Sequence, residues 1–241
     1  MPEDAPAVEI ENLTVRYGDG PDLLSKFSLT LDSGECAAIY GASGCGKSTL
    51  LHCICGLIPR SIPAEMTGTV RLFGRPVEEY PRHELVQCIG IVFQNPDTQL
   101  FCDTVEDEIA FGLENICLSR EEMALRVEEI LAVTGLDKYR MAAPKLLSGG
   151  QKQLVVLAAV LALRPKILLM DEAFSQLDER SRGLLLNYVL TLRNNGLTMV
   201  LVDHDPKNMS FARKVVRLGE QAGVFVELYD FAQQRADHSF G

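Results

Sequence analysis

The sequence predicts an α/β protein. A mostly parallel sheet carries helices on its faces, a small antiparallel β layer lies beside it, and an α-helical subdomain is inserted between two strands. Three observations carry this. Short, continuously apolar runs recur at Cys36–Tyr40, Ile89–Phe93, Ile167–Met170 and Thr198–Val202, as expected of strands buried on both faces. Helical patterns alternate with these runs, the signature of a parallel sheet. The first strands instead alternate apolar and polar residues, which suits a sheet with one wet face.

In chain order, Val8–Tyr17 places Val8, Ile10, Leu13, Val15 and Tyr17 on one side, with a slip near Asn12, and reads as a strand. Phe27–Leu31 is a second alternating strand, turned by Ser33-Gly34. Cys36–Tyr40 enters a Gly-rich loop, and Lys47–Gly56 follows as helix. Thr69–Phe73 is a strand with a turn at Gly74, and Ile89–Phe93 is the next. From Asn95 to Glu129 the pattern reads as helix, with starts at Thr104 and at the capping box Ser119-Arg120-Glu121-Glu122. Ser148–Leu163 is helix, Ile167–Met170 strand, Arg180–Leu192 amphipathic helix and Thr198–Val202 strand. Val215–Leu218 and Val224–Leu228 read as a closing hairpin before a polar tail from Gln233. The expected organisation is one domain over 1–241, with a core of about 1–93 and 164–241 and a helical subdomain of about 95–163.

Composition bounds what such a chain can do. With 241 residues, 47% hydrophobic and 23% charged, it can bury a sizeable core. Its net charge of −10 makes a polyanion a poor partner, so no nucleic acid is expected. No apolar run approaches the roughly 18 residues of a membrane span. Met1-Pro2-Glu3-Asp4 is acidic and lacks an apolar signal core, so a cytoplasmic location is expected, any membrane role coming through a partner. The seven cysteines show no metal-type spacing and read as reduced, mostly buried thiols.

Three motifs carry chemistry. Gly41-Ala42-Ser43-Gly44-Cys45-Gly46-Lys47-Ser48 fits GxxxxGK[ST], between a strand and a helix. Its glycines let successive backbone amides curl around phosphate oxygens, and the helix that follows, entered by Lys47, Ser48 and Thr49, aims its N-terminus at the same anion. Lys47 would reach the β- and γ-phosphates and Ser48 would ligate Mg²⁺. Asp171 and Glu172 end a buried strand. There Asp171 can hold Mg²⁺ and Glu172 can act as general base toward water. Leu147-Ser148-Gly149-Gly150-Gln151 opens a helix and makes a second anion site. Ser148 also reads as that helix's N-cap.

LSGGQ, the phosphate loop and the Asp-Glu pair, in this order, resemble the nucleotide-binding subunits of ABC transporters, which share the P-loop NTPase core. The resemblance runs from Tyr17 to His204. It implies ATP and Mg²⁺ as cofactors and a head-to-tail dimer with a second ATPase subunit, homo- or heteromeric. In that arrangement Ser148, Gly149, Gly150 and Gln151 of one subunit serve the ATP on the P-loop of the other. By resemblance, Tyr17 stacks on adenine, Gln94 contacts Mg²⁺ and the lytic water, Ser175-Gln176-Leu177-Asp178 couples the two sites, and His204 contacts the γ-phosphate.

Gln94-Asn95-Pro96-Asp97-Thr98-Gln99-Leu100-Phe101 is similar to the QNPDxQLF segment of energy-coupling-factor transporter ATPases. Those drive uptake of vitamins or of cobalt and nickel through a transmembrane coupling protein and a substrate-binding membrane protein. The resemblance therefore places the chain at the cytoplasmic face of the membrane. Ala173, Gln176, Leu154 and Asp203 depart from the family pattern, but none is a reacting group. An ordinary ABC transporter subunit, or a soluble ABC ATPase acting in nucleic-acid maintenance or translation, is the alternative.

Overall fold

The computed structural model describes residues 5–175, 177–203, 209, 212–219 and, as backbone, 224–227. In chain order the strands and α-helices are β1 (Val8–Arg16), β2 (Asp22–Leu31), β3 (Cys36–Gly41), α1 (Lys47–Ile54), β4 (Glu65–Leu72), β5 (Arg75–Pro76), α2 (Arg82–Cys88), β6 (Ile89–Val92), α3 (Val105–Asn115), α4 (Arg120–Thr134), α5 (Gly149–Ala162), β7 (Ile167–Asp171), α6 (Glu179–Asn194), β8 (Thr198–Val202), β9 (Lys214–Leu218) and β10 (Val224–Glu227). The chain forms two compact units, one of residues 1–81 with 198–241 and the other of residues 82–197.

The first unit holds an antiparallel layer in the order β2-β1-β4-β5. The sequence's slip near Asn12 is a register shift between Glu11 and Thr14, with Asn12 at φ 50°. Gly68 lies opposite this irregularity, where a Cβ would stand 2.5 Å from the Asn12 carbonyl oxygen. Only glycine lets the two backbones approach so closely. This unit also holds β3, paired parallel with β8 on one side and β9 on the other, and β10 antiparallel to β9. Every residue of β8 is buried, as is Cys36–Ile39 of β3, which is why these runs lack alternation. α1 packs on β3, β4 and β8.

The second unit pairs β6 parallel with β7 and packs α3, α4 and α5 together, with α5 lying on β6. α5 is apolar around most of its girth, Gln153–Ala158 being buried throughout. α3 starts at Thr104, whose hydroxyl accepts from the Asp107 amide at 3.1 Å. α4 starts at Ser119, whose hydroxyl accepts from the Glu122 amide at 3.2 Å, and stops at Gly135 with φ 67°.

Three expected boundaries and one missed helix need correction. The helical pattern expected from Asn95 starts late: Pro96–Thr98 forms a 3₁₀ turn, and helix begins only at Val105, behind the expected start at Thr104. α2 was not expected from the sequence, and β2 and β4 begin at Asp22 and Glu65, before the expected Phe27 and Thr69. No helix among the described residues is long and apolar enough to cross a membrane.

Candidate functional site

In the first unit the loop after β3 is the phosphate-binding candidate. Gly41 closes β3 in register with Leu218 of β9. Gly46, at φ 98°, turns the chain into α1 and places no side-chain cap on the helix N-terminus. The amides of the first turn therefore point outward as donors for an anion. The Lys47 ammonium folds over the loop and donates to the carbonyls of Gly41 at 2.9 Å and Ala42 at 2.8 Å. It also lies 3.9 Å from the Cys45 sulfur. Ala42, Ser43, Gly44 and Ser48 are exposed, whereas Cys45 is 7% exposed and Thr49 is buried. Tyr17, half-buried, shares a 3.4 Å hydrogen bond between its hydroxyl and that of Thr49. The expected adenine-stacking residue thus sits at the start of α1.

In the second unit, buried β7 ends in Asp171, which is 7% exposed. Glu172 follows with φ 50°, a left-handed conformation that a non-glycine residue adopts at a cost of about 1 kcal/mol or more. Its carbonyl is held by the Ser175 hydroxyl at 2.7 Å and amide at 3.1 Å. The turn aims the Glu172 carboxylate at Gln94, whose Nε2 donates to Oε2 at 2.8 Å. Gln94 and Glu172, chosen from the sequence by separate arguments, therefore meet.

The signature turn is a complete capping box. The Ser148 hydroxyl accepts from the Gln151 amide at 3.4 Å, and Gln151 Oε1 accepts from the Ser148 amide at 2.9 Å. Gln151 also donates to the Tyr139 hydroxyl at 2.7 Å. Ser148 and Gly149 remain exposed at the helix start. Asp178 caps α6 in the same way, accepting from the Ser181 amide and hydroxyl, each at 2.9 Å. Those donors hold its carboxyl below the usual range. Both residues thus serve as helix caps, whatever further role they have. The expectations for His204 and Gln176 lie outside the described residues.

Each unit, taken by itself, holds one oxygen donor of the kind the expected cation takes. Ser48 supplies an exposed hydroxyl and Asp171 a strand-end carboxylate. Mg²⁺ is held by one or two such groups together with substrate phosphates, rather than by an all-protein cage. Two residues that sequence reasoning passed over touch the backbone just before Gln94. They are Gln99, given no role of its own within the Gln94–Phe101 segment, and Gln153, which has no one-dimensional signal beyond being glutamine.

The ABC transporter family matches residues 24–175. A Saccharolobus solfataricus protein named as an ABC transporter ATP-binding protein is 44% identical over 82% of this chain and 37% of its own length. The chain thus spans little more than a third of that relative. The energy-coupling factor transporter ATP-binding protein EcfA1 of Leuconostoc mesenteroides is 37% identical over 98% of this chain and 86% of its own. Among solved structures, cbiO1 from Clostridium perfringens, described as part of the ABC transporter complex cbiONQ, is 28% identical with a TM-score of 0.80. The match covers 97% of this chain and 92% of that one. A dimeric post-hydrolysis state of the ATP-binding cassette MJ0796, bound to ADP and Pi, has the same identity and TM-score over 92% of this chain and 98% of its own. The family match spans well over half of the chain, and a relative more than 30% identical is matched along most of its length: the chain belongs to the ABC transporter family.

Proposed function

We propose that the chain binds and hydrolyses ATP as the nucleotide-binding subunit of an energy-coupling-factor type importer. The observation that carries the hydrolytic part is the 2.8 Å hydrogen bond from Gln94 to Glu172. It holds a carboxamide, whose donors and acceptor can orient a water, against the carboxylate of Glu172, which directly follows β7.

The roles follow from the chemistry of each group. The loop amides from Gly41 to Ser48 and the Lys47 ammonium bind phosphate oxygens. Lys47 now uses its donors on its own loop carbonyls, at 2.8 and 2.9 Å, and exchanges them for phosphate. By resemblance, Ser48, Gln94 and Asp171 are the residues that would hold Mg²⁺, and the ion would neutralise charge developing on the phosphate oxygens. Glu172 takes a proton from water as its oxygen forms the new bond to the γ-phosphorus, and the bond from that phosphorus to the bridging oxygen breaks. Ser148 and Gly150 of a second subunit, with His204, stabilise the transferring group, Tyr17 stacks on adenine, and Asp178 couples the two sites. The division into a core and a signature-bearing helical subdomain belongs to the same proposal.

The importer assignment is supported by the QNPDTQLF segment, by the name of the EcfA1 relative and by the complex described for cbiO1. It implies a second ATPase subunit, a transmembrane coupling protein and a substrate-binding membrane protein, with a vitamin or transition metal ion as cargo. Under it the chain sits at the cytoplasmic face through these partners and binds no nucleic acid. The test is Glu172→Gln. Turnover should fall at least about 100-fold while Mg²⁺-ATP stays bound through repeated washing. Native turnover by this variant, or failure of the wild type to retain or cleave ATP, would sink the proposal.

A further inference from the structure

Gln94 leaves β6 through Phe93, and the backbone of Phe93 is gripped by two glutamine side chains. Gln99 Oε1 accepts from the Phe93 amide at 2.8 Å, and Gln99 Nε2 donates to the Ile91 carbonyl at 3.1 Å. One acceptor and one donor, directed at residues i+2 and i on the same edge, reproduce what a neighbouring strand would offer. The side chain thus extends the β6 ladder past the strand's end. From α5, Gln153 donates from Nε2 to the Phe93 carbonyl at 3.5 Å.

Gln153 is 1% exposed, and its Oε1 has no partner among the described residues. A buried carbonyl oxygen without a donor is unfavourable, and an apolar side chain of similar length would not incur that cost. Its neighbour Lys152 pairs with Asp97 at 2.6 Å, so α5 touches the loop on both sides of Gln94. Gln99 is half-buried and supplies both its donor and its acceptor to backbone, which no other side chain of that length could do.

We propose that Gln99 and Gln153 are positioning residues: they fix the backbone entering Gln94 and so aim its carboxamide at Glu172. The inference rests on the reading of Gln94 and Glu172 as working groups in hydrolysis. It extends the chemistry one layer outward, to two residues whose described hydrogen bonds all go to backbone. It also means that α5, whose N-cap is Ser148, shares a physical support with the Gln94–Glu172 pair.

The test uses the full chain carrying Gln99→Met, which keeps length but offers neither donor nor acceptor. The rate at saturating ATP should fall about tenfold while ATP affinity stays within about twofold. Gln99→Glu, which keeps the acceptor for the Phe93 amide, should recover part of the rate. In a Gln94→Ala background, Gln99→Met should slow turnover by no more than about twofold further, because the residue it positions is gone. Full multiplication of the two losses, or a parallel fall in ATP affinity and Tm, would overturn the assignment. Amide hydrogen exchange over residues 91–95 gives a readout that needs no turnover. Exchange should quicken about tenfold or more in Gln99→Met, and unchanged exchange rejects the grip itself. A wild type that binds ATP without cleaving it counts against the proposed hydrolysis, while exchange still decides whether Gln99 holds Phe93.

Discussion

Gly41→Ala is the substitution whose consequence can be worked most fully from the structure. A Cβ at Gly41 would stand 2.4 Å from the Leu218 carbonyl oxygen and 2.8 Å from the Cys45 sulfur. Real Cβ contacts stay above about 3.0 Å, so β3 and β9 must part by at least 0.6 Å where they are in register, or the loop must shift instead. Overpacking of this size costs about 1–3 kcal/mol. If the strands yield, that loss appears in the urea midpoint. If the loop yields, the same energy weakens ATP binding about 5- to 150-fold. Titration with a fluorescent ATP analogue, beside a urea melt, separates the two. Adding Cys45→Gly should not rescue the variant, since it removes only the sulfur contact. Gly44→Ala meets nothing within 4 Å and should show only the milder strain of its φ of 80°. Native ATP affinity together with native stability in Gly41→Ala would refute this account of why the loop begins with glycine.

Other expectations follow from single sites. Glu108, 5% exposed, accepts from the Phe101 amide at 2.9 Å and the Cys102 amide at 2.8 Å. Glu108→Ala strips both amides of their acceptor and should cost about 3 kcal/mol in urea denaturation; less than about 1 kcal/mol would mean that water replaces it easily. Burial by itself would push the Glu35 carboxyl up, but the Lys214 ammonium at 2.7 Å and the Asp32 amide outweigh it and hold the carboxyl below its ordinary 4.5. A depressed carboxyl stabilises the fold above its unfolded pKa and loses that contribution as pH falls through the folded value. Glu35→Gln should therefore destabilise at pH 7 and match the wild type once the pH is well below 4.5; a pH-independent difference would contradict this. Burial pushes Cys53 up to about 12 and Cys88 to about 11, while Cys117 is exposed. Iodoacetamide at pH 8 should modify Cys117 well before either of them, as peptide mass analysis would show.

The parts of the fold legible in one dimension were those governed by burial and local geometry. β7 and β8 read correctly because every residue in them is buried. The loop into α1 and the capped turn into α5 were legible as local structure because glycine and capping residues must stand at fixed spacings. The errors came where tertiary contacts override pattern. Lys26 sits at φ 50° beside a register shift, which breaks the alternation of β2 and hid its first residues. Gly68 looks like a turn residue, yet it lies inside β4 because the irregularity at Asn12 needs it there. α2 is a short helix with only Leu85 and Cys88 buried, too few apolar positions to announce a period. At the site, Gln94 and Glu172 were each legible, but their 2.8 Å contact was not, since 77 residues separate them in sequence. Gln99 and Gln153 act through backbone atoms of Phe93, and a side chain that binds backbone leaves no trace in the identity of its partner.

The central claim is that the loop at Gly41–Ser48 is half of a site, completed by the Ser148–Gln151 turn of a second subunit. The most direct measurement is the specific rate of ATP hydrolysis against chain concentration, alone and with any second ATPase that co-purifies. The account predicts a specific rate that climbs with concentration and saturates as dimers form. It also predicts that Ser148→Arg chains, inactive alone, regain activity when mixed with inactive Lys47→Ala chains wherever the two can pair. A specific rate that stays constant down to concentrations at which the chain sediments as a monomer would contradict it.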